Sequence, residues 1–585
     1  HLMAVALKDE KLIDAMFNAV GGWKWYFDEY IADGRFYMEE FGKYYSNIGT
    51  MLTYCEALER LGLGRYGYGY TGAGGPSTGS GQGATMRKFL EMKMWIGYPR
   101  DDSRAGMPRY HAVTMGDAGP STIIPGYDAD GRGGNHWWNS SHMNGPLPKM
   151  MEPLWYEIGH RRWPDAGFDY FLAQMRSPGE ELHLPSLYFG LGPVDPKKVK
   201  PPPAQSYVSR QRGFALLRAE ESPAYWESPA PAVAMQFAMY YVHYVHDCFS
   251  ILGYNAHNRM IYERMGSARR GYAGGEAWRD HVRGHCGVVV DGLKAQPVDN
   301  GNEGTKNHRV RHAFAGPVKF VAARARGVYP DIDQERALFL TREYLLDVFR
   351  LCSAKSRTYD WQVLSPGLVA APPPEAWTAV AELPAPKDRS LARPLLSETR
   401  VIAPGEKPWT AAIVQSHLPR GVGVRVSMLG EPGTFVLASR PPIGKTEVGT
   451  SLLVTRQAPS TTFVSLHDPF AGGPAANPAR KLARIEQNDR GVAVAVTGDA
   501  RSPANDRILL AYGEEVDQPL TLKGGGEGFT FTGHGFIRIG MDDVRAFGNI
   551  RRMQVKVVGE PKLFVNGKQV AATVRGGMLL LEGRD

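Results

Sequence analysis

The stretch from Gly190 to Arg218 reads GLGPVDPKKVKPPPAQSYVSRQRGFALLR, and the character of the sequence changes within it. Its first half, Gly190 to Ala204, is rich in proline, which restricts the backbone and favours an extended linker. Its last six residues, GFALLR, predict a β-strand. We therefore expect one domain over residues 1–188, a linker over 189–205 and a β domain that begins at residue 206.

Upstream of this linker the apolar residues recur at helical spacing. One such series is Ile48, Leu52, Cys55, Leu58 and Leu61. The glycine-rich stretches 66–83 and 116–144 are longer than ordinary turns between helices, and connections of this length often carry function. We predict that the first third of the chain is mostly helical.

Downstream of the linker the apolar pattern has a period of two, which predicts strands. Segments of this kind include Val318–Ala323, Ala337–Thr341, Ser451–Val454, Phe463–Leu466, Lys562–Val565 and Met578–Leu581. Turns at intervals of about ten residues favour antiparallel sheets packed face to face, which predicts a β-sandwich over 206–545. The turn Asn566-Gly567 favours a hairpin, and we expect a small C-terminal sheet over 546–585.

The composition is that of a soluble globular protein, with 585 residues of which 43% are hydrophobic and 22% charged. No apolar run reaches the roughly 18 residues that a membrane helix needs, so we expect no membrane span. Lysine and arginine number 68 and aspartate and glutamate 60, an excess that favours an anionic ligand. No helix-turn-helix, zinc-finger or ribonucleoprotein motif is present, so we expect an acidic polysaccharide rather than nucleic acid.

The densest group of chemically active side chains lies at 240–251, YYVHYVHDCFSI. Alternation along a strand would separate His243 from His246, so the two could converge only at a bulge. Glu263, Tyr272 and His285 follow downstream. Histidine and carboxylate ligands on neighbouring strands can bind Zn²⁺. A single histidine is more often a surface or hydrogen-bonded core residue, and the clustering is what favours a site.

Several segments, in this order, resemble a known family. They are Asp33-Gly34-Arg35-Phe36 with Glu39 and Tyr44-Tyr45, Met107-Pro108 with Gly116-Asp117, Arg212–Arg218, His243–Ser250, and His285–Gly292 with Gln296. Together they resemble the heparinase II/III-like polysaccharide lyases, which join an (α/α) toroid to an antiparallel β-sandwich. The resemblance covers about residues 10–545 and implies an α+β multidomain chain whose residues 1–188 form a toroid, complete or incomplete.

The resemblance implies roles for particular residues. The family pattern HxHxDxxS matches His243, Asp247 and Ser250, which makes His243 the candidate for proton transfer. The family's catalytic tyrosine corresponds to Tyr44 or Tyr45. Tyr272 is a second candidate phenol.

The resemblance also implies a structural zinc ion, with one departure from the pattern. The position of the second histidine of the motif, a metal ligand in zinc-binding members, holds Val245. His246 could replace it through a bulge, and Glu263 and His285 occupy the other two ligand positions. No organic cofactor is expected.

A second departure is that only about thirty residues precede Asp33, where family members carry roughly half a toroid. That half includes an Asn-His pair that contacts the uronate carboxylate. His1 is the candidate for this histidine, although a cloning remnant would explain the leading His-Leu-Met equally well. We expect a further segment or another chain to complete the helical ring.

The residue types suit β-elimination of a 4-linked uronate. Asparagine, histidine or arginine can neutralise the carboxylate while charge develops on it. A base then removes the C5 proton and an acid protonates the leaving O4, and histidine and tyrosine can serve in both roles.

A second candidate group lies in the glycine-rich segment 133–144. The residues that could bind sugar there are Asn135, His136, Trp137, Trp138 and Asn144. Indole rings offer a flat apolar face for stacking and a polar edge. Alternatively, buried tryptophans simply anchor the loop.

We therefore predict a polysaccharide lyase that acts on an acidic, uronate-containing glycan and yields unsaturated products. The resemblance implies a secreted or periplasmic bacterial protein. One alternative is a glycoside hydrolase on a similar toroid, for which Asp33, Glu39, Glu40 and Asp117 would supply two facing carboxylates. The other is a noncatalytic protein that binds acidic glycans.

Overall fold

The structure is a computed structural model of the chain. The residues that it describes are 2–38, 41, 44–74, 83–102, 109–113, 121–122, 148–175, 194–195, 197–238, 248–263, 282–296, 309–380, 396–415, 421–442, 448–475, 477–499 and 504–582.

Helices occupy much of the described N-terminal third. They are α1 (Leu2–Ala6), α2 (Glu10–Asn18), α3 (Trp23–Glu29), α4 (Tyr44–Arg60), α5 (Met86–Leu90), α6 (Met92–Trp95), α7 (Pro148–Arg162) and α8 (Phe168–Met175). Helix α2 begins where the Asp9 carboxylate accepts a hydrogen bond from the Leu12 N–H at 3.0 Å, which satisfies one free amide of the first turn. Helices α4 and α7 approach closely because Gly49 leaves room for the Trp155 ring. None of the described helices is long and apolar enough to cross a membrane.

Two small sheets lie among these helices, which the sequence did not predict. The strands are β1 (Ile31–Ala32) and β2 (Phe36–Tyr37) in one, and β3 (Gly97–Asp101), β4 (Arg109–Ala112) and β5 (Ser121–Thr122) in the other. The β3 sequence, GYPRD, contains a proline and two charges, so its strand character depends on burial of Tyr98 and on pairing with β4. Over the described residues the helix content does not establish the toroid that the resemblance implies.

A five-stranded antiparallel sheet follows the proline-rich stretch. Its strands are β6 (Tyr207–Ser209), β7 (Phe214–Arg218), β8 (Ala232–Gln236), β9 (Ile251–Ala256) and β10 (Arg259–Tyr262), in the order β10-β9-β8-β7-β6. Residues 197–206 form neither helix nor strand, and the Trp226 indole donates to the Pro202 carbonyl at 2.8 Å. This stretch therefore packs against the sheet as an extended connection.

Twelve strands form the next sheet. They are β11 (Val288–Val290), β12 (Arg309–Ala313), β13 (Lys319–Arg326), β14 (Asp333–Leu340), β15 (Leu345–Ser365), β16 (Leu368–Ala371), β17 (Thr378–Ala379), β18 (Ser397–Ile402), β19 (Trp409–Val414), β20 (Gly423–Met428), β21 (Phe435–Arg440) and β22 (Thr450–Phe470). Strands β15 and β22 are 21 residues each and pair over nearly their whole length.

Strand β15 turns a corner and belongs to both layers of a sandwich. The Trp361 indole donates to the Asp347 carboxylate at 3.3 Å although the two residues are 14 apart on one strand. A straight strand would separate them by about 46 Å. The pairing with β22 shifts between Cys352 and Arg357, where the chain is exposed, and this is where the corner lies. The predicted antiparallel sandwich is therefore present, and its two layers share these two strands.

The last ten strands form a single sheet. They are β23 (Lys481–Gln487), β24 (Gly491–Thr497), β25 (Asn505–Ala511), β26 (Leu520–Gly524), β27 (Glu527–Ile539), β28 (Asp543–Lys556), β29 (Lys562–Val565), β30 (Lys568–Val570), β31 (Thr573–Arg575) and β32 (Met578–Leu581). The predicted hairpin joins β29 and β30, with positive φ at Asn566 and Gly567. The predicted separate C-terminal sheet is corrected by this arrangement, because β32 pairs with β28 and extends a sheet that begins at Lys481.

Apolar contacts join these units. One core lies between the sandwich layers and continues onto the five-stranded sheet through Met235 and Phe237. A second joins the outer face of the sandwich at Phe320 to the ten-stranded sheet at Phe536. A third joins the N-terminal helices to the other face of the five-stranded sheet at Phe214. The five-stranded sheet is thus held between the helical part and the sandwich.

Candidate functional site

Few of the predicted site residues lie among the described residues. Glu263 and His285 are described with their side chains, and Tyr44 and Tyr45 begin helix α4, where only their backbone is described. The other predicted site residues lie outside the described residues, and these are His1, Asn135, His136, Trp137, Trp138, Asn144, His243, His246 and Tyr272. The assignments of these residues stay predictions.

The end of the predicted catalytic motif meets the His285 segment. The Ile251 N–H donates to the Cys286 carbonyl at 2.9 Å in an isolated β-bridge. Ser250, the last residue of the HxHxDxxS match, is fully buried, and a Cβ added to Gly287 would come within 2.7 Å of its hydroxyl. A side chain at 287 would require the Ser250 hydroxyl to move, so glycine at this position favours the close approach of the two segments.

His285 lies in a buried turn that is hydrogen-bonded to a strand of the sandwich. The ring is 4% exposed, and the backbone N–H of His285 donates to the Val282 carbonyl at 2.9 Å. The Gln362 side-chain amide on β15 donates to the His285 carbonyl at 3.1 Å and also to the Arg283 carbonyl. The turn is therefore fixed by side chains of the second half of β15.

Glu263 directly follows β10 and is partly exposed. Within the described part of the chain, no three His, Cys, Asp or Glu side chains are grouped so as to hold a metal ion. The predicted zinc set needs His246, which lies outside the described residues. Two described donors of suitable type do not by themselves make a zinc site, so we derive no chemical step through a metal.

A buried ion pair lies directly beneath these segments. Arg336 on β14 donates from Nε and Nη2 to the two Asp347 carboxylate oxygens at 2.9 and 2.8 Å, and both side chains have zero exposure. The Nη1 of Arg336 donates to the Phe249 carbonyl at 2.5 Å and to the Cys286 carbonyl at 2.8 Å. Although burial alone would raise the pKa of Asp347, Arg336 and His467 outweigh it and lower that pKa to about 2.

The same buried group extends to the strand that leads to Glu263. The Tyr262 hydroxyl lies 2.6 Å from His467 Nδ1, and His467 Nε2 lies 3.9 Å from Asp347. Burial lowers the pKa of His467 in spite of the nearby carboxylate, so the ring is neutral at neutral pH. Its Nε2 lies 3.1 Å from the Ser465 hydroxyl, so both ring nitrogens have a hydroxyl partner within hydrogen-bond distance.

The segment Asp33-Gly34-Arg35-Phe36 contacts another segment that carries the resemblance. The Asp33 N–H donates to the Gln211 side chain at 2.5 Å, the Ser209 hydroxyl donates to the Asp33 carboxylate, and the Phe36 and Phe214 rings meet edge to face at 5.1 Å. Positive φ at both Asp33 and Gly34 makes the tight turn. The helical part and the five-stranded sheet are joined at this turn.

These contacts bear on the hydrolase alternative. Burial raises the pKa of Asp33, which is opposed by its hydrogen bonds from Ser209 and the adjacent backbone. The Asp33 carboxylate thus serves the contact between the helical part and the five-stranded sheet. Glu39, Glu40 and Asp117, the other carboxylates of that alternative, lie outside the described residues.

Sequence reasoning did not find the buried group of Arg336, Asp347 and His467. One signal was available at Asp347, which interrupts the otherwise apolar run LLDVF of β15. A charge in such a position is almost always paired. The sequence does not show which strands supply the partners.

No protein-family model and no curated protein sequence matches this chain. Among solved structures, a heparinase III gene product aligns with 86% of the chain and 60% of its own, at 10% identity and a TM-score of 0.50. The same gene product with methylated lysines gives a TM-score of 0.52 at the same identity and coverage. The chain has the heparinase III fold. It spans about 60% of the length of those structures.

A mutant heparan sulfate lyase from Pedobacter heparinus is also similar, at 12% identity over 86% of this chain and 60% of that one, with a TM-score of 0.47. The two heparinase III structures confirm, at the level of the fold, the resemblance read from the ordered motifs over most of the chain.

Proposed function

We propose that the chain is a polysaccharide lyase that cleaves an acidic, uronate-containing polysaccharide by β-elimination. The observation that carries this proposal is the meeting of the motif end at Ile251 with the His285 segment, through the hydrogen bond to Cys286, in a chain with the heparinase III fold. Two segments about 35 residues apart in sequence, each resembling part of the lyase pattern, are adjacent in space.

In the proposed reaction His243 and one of Tyr44 and Tyr45 move the protons. One of them removes the C5 proton of the uronate and one protonates the departing O4, with each transfer contributing about 10²–10⁴-fold. Tyr272 is the second candidate phenol. His1 is the candidate to neutralise the uronate carboxylate, since a cation or donor there stabilises the charge that develops.

The substrate is proposed to lie along Asn135, His136, Trp137, Trp138 and Asn144. The net charge of +8 supports an anionic polymer, because a basic surface raises the local concentration of such a ligand. Depolymerisation of an extracellular glycan would take place outside the cytoplasm, so we propose a secreted or periplasmic location.

A zinc ion held by His246, Glu263 and His285 remains part of the proposal. These donors are of the types that zinc accepts, and the ion would brace the motif against the His285 turn. Elemental analysis of protein purified without chelator tests this directly, and much less than one zinc per chain would reject it.

The test of the function is an assay for unsaturated products on a panel of alginate, glycosaminoglycans, ulvan and glucuronan. Elimination introduces a C4–C5 double bond, so we expect ultraviolet absorbance to increase with at least one polymer. His243→Ala protein, purified in parallel, is the control for contaminating lyase.

Two other outcomes would contradict the proposal. New reducing ends without absorbance would indicate hydrolysis. Retention on an acidic polymer without any cleavage would indicate a noncatalytic glycan-binding protein.

A further inference from the structure

Three segments that carry predicted site residues are tied to one buried group. Phe249 lies within the HxHxDxxS match, Tyr262 directly precedes Glu263, and Cys286 directly follows His285. Arg336 donates to the carbonyls of Phe249 and Cys286, and the Tyr262 hydroxyl is hydrogen-bonded to His467 Nδ1. A single cluster of side chains from β14, β15 and β22 thus meets all three segments.

Burying this cluster of charged and polar side chains in a core costs free energy. Arg336, Asp347 and His467 have zero exposure, and removing charges from water costs more than their attraction commonly returns. Apolar side chains of similar volume would often be as stable or more stable. Charged and polar groups differ from apolar ones because their hydrogen bonds are directional. Each hydrogen bond fixes the position of the acceptor atom relative to its donor.

Arginine suits this task in a way that lysine does not. Its planar group directs Nε and Nη2 at Asp347 while Nη1 reaches two carbonyls from different segments. An ammonium group has three donors on one atom and cannot hold a bidentate carboxylate and two separated carbonyls together. The Trp361 indole holds the carboxylate from the opposite layer at 3.3 Å.

We propose that Arg336 and Asp347 are positioning residues of the active site, which hold the motif segment and the His285 turn at a fixed separation. This inference rests on the proposed lyase function. Neither residue touches substrate. They act through the carbonyls of Phe249 and Cys286, and so fix the end of the motif relative to the His285 turn.

The test is Arg336→Lys in the full chain. Lysine keeps the positive charge beside Asp347 but cannot donate hydrogen bonds to both carbonyls at once. We therefore expect kcat to fall at least tenfold, with KM within twofold of wild type. Hydrogen exchange is the second readout. The amides of 248–251 and 285–288, including the Ile251 N–H, should exchange at least tenfold faster.

The matched control is Arg507→Lys. Arg507 also makes a buried bidentate pair, with Glu527 at 2.6 and 2.8 Å, but it lies in the ten-stranded sheet, and its hydrogen bonds to described residues are made within that sheet. Both lysine variants should lose stability. Only Arg336→Lys should change kcat and the exchange of 248–251 and 285–288.

The outcomes separate this inference from the proposed function. An active wild-type protein whose Arg336→Lys variant keeps its kcat and its exchange rates would overturn the inference alone. A wild-type protein without lyase activity would overturn the function, and hydrogen exchange would then decide whether Arg336 fixes the two segments.

If Arg336→Lys does not fold, Tyr262→Phe is the second variant that tests the inference. Phenylalanine preserves the ring volume and removes only the hydrogen bond to His467. We expect kcat to fall at least threefold, with faster exchange at 259–263. Unchanged values for both would contradict the anchoring of the third segment.

Discussion

At the scale of the residue, His534 shows how burial alters a titratable group. Its ring is stacked on Phe320, with centroids 3.9 Å apart, and is partly buried. Burial, aided by the positive charge of Arg311, lowers the pKa of His534 from 6.5 to about 4. The unfolded chain therefore binds a proton in a pH range where the folded protein does not.

The consequence is a loss of stability in acid. The contribution of His534 is fully present above pH 6.5 and is lost as the pH falls toward 4. We predict that His534→Gln flattens the decrease in the free energy of unfolding between these values, by less than about 1.4 kcal/mol per pH unit because the ring is partly exposed. Urea denaturation across this range measures it. Equal slopes in both proteins would show that the ring protonates without cost.

The proposed proton-transfer groups give a second prediction at this scale. We expect His243→Ala to lower kcat at least about a hundredfold, as for loss of a general acid or base. Tyr44 and Tyr45 occupy consecutive positions of α4, about 100° apart around the helix axis, so only one should face the substrate. One of Tyr44→Phe and Tyr45→Phe should be inactive and the other nearly normal. Full activity in all three variants would exclude this site.

At the scale of the element, the turn between β6 and β7 sets the position of the chain that enters the motif. Gly213 has φ +76°, and its carbonyl accepts from the Phe237 and Ala238 amides at 2.8 and 3.1 Å. A Cβ on Gly213 would lie 2.6 Å from the Ala238 carbonyl oxygen. Ala238 immediately precedes the segment that contains His243.

We predict that Gly213→Ala lowers the free energy of unfolding by at least about 2 kcal/mol, from the left-handed backbone plus the clash. Gly327→Ala is the matched control, since Gly327 has φ +88° and nothing within 4 Å of an added Cβ. Gly327→Ala should lower the free energy of unfolding only by the contribution of the left-handed backbone, about 1 kcal/mol. Equal losses in a denaturation experiment would mean that Ala238 moves aside freely.

Elements were predictable where local sequence decides them. Lys562–Val565 and Met578–Leu581 are strands with the predicted bounds, because alternation and the Asn566-Gly567 turn act locally. The predicted strands Ser451–Val454 and Phe463–Leu466 are parts of one strand, β22. The intervening TRQAPSTT lacks strand pattern, and its pairing depends on β15 at the corner of the sandwich.

At the scale of the whole molecule, the order of the motifs along the chain predicted the heparinase III fold. Motifs can be recognised in a sequence without knowing how far apart they lie in space. The chain does not reveal which distant side chains will meet. Arg336 and Asp347 are brought together by the register of β14 and β15, and Arg336 reaches the Phe249 carbonyl only once the five-stranded sheet has docked. For this reason the support beneath the candidate site could not be predicted, whereas its motif could.

The shared strands β15 and β22 also bear on how the sandwich assembles. Their partners lie roughly a hundred residues apart in sequence, so a long loop must close before either layer gains its central pair. Since both layers use the same pair of strands, neither layer is complete without the other. The sandwich should therefore fold slowly and in one cooperative step, and a cut in the connection between β15 and β22 should delay refolding far more than it weakens the finished structure.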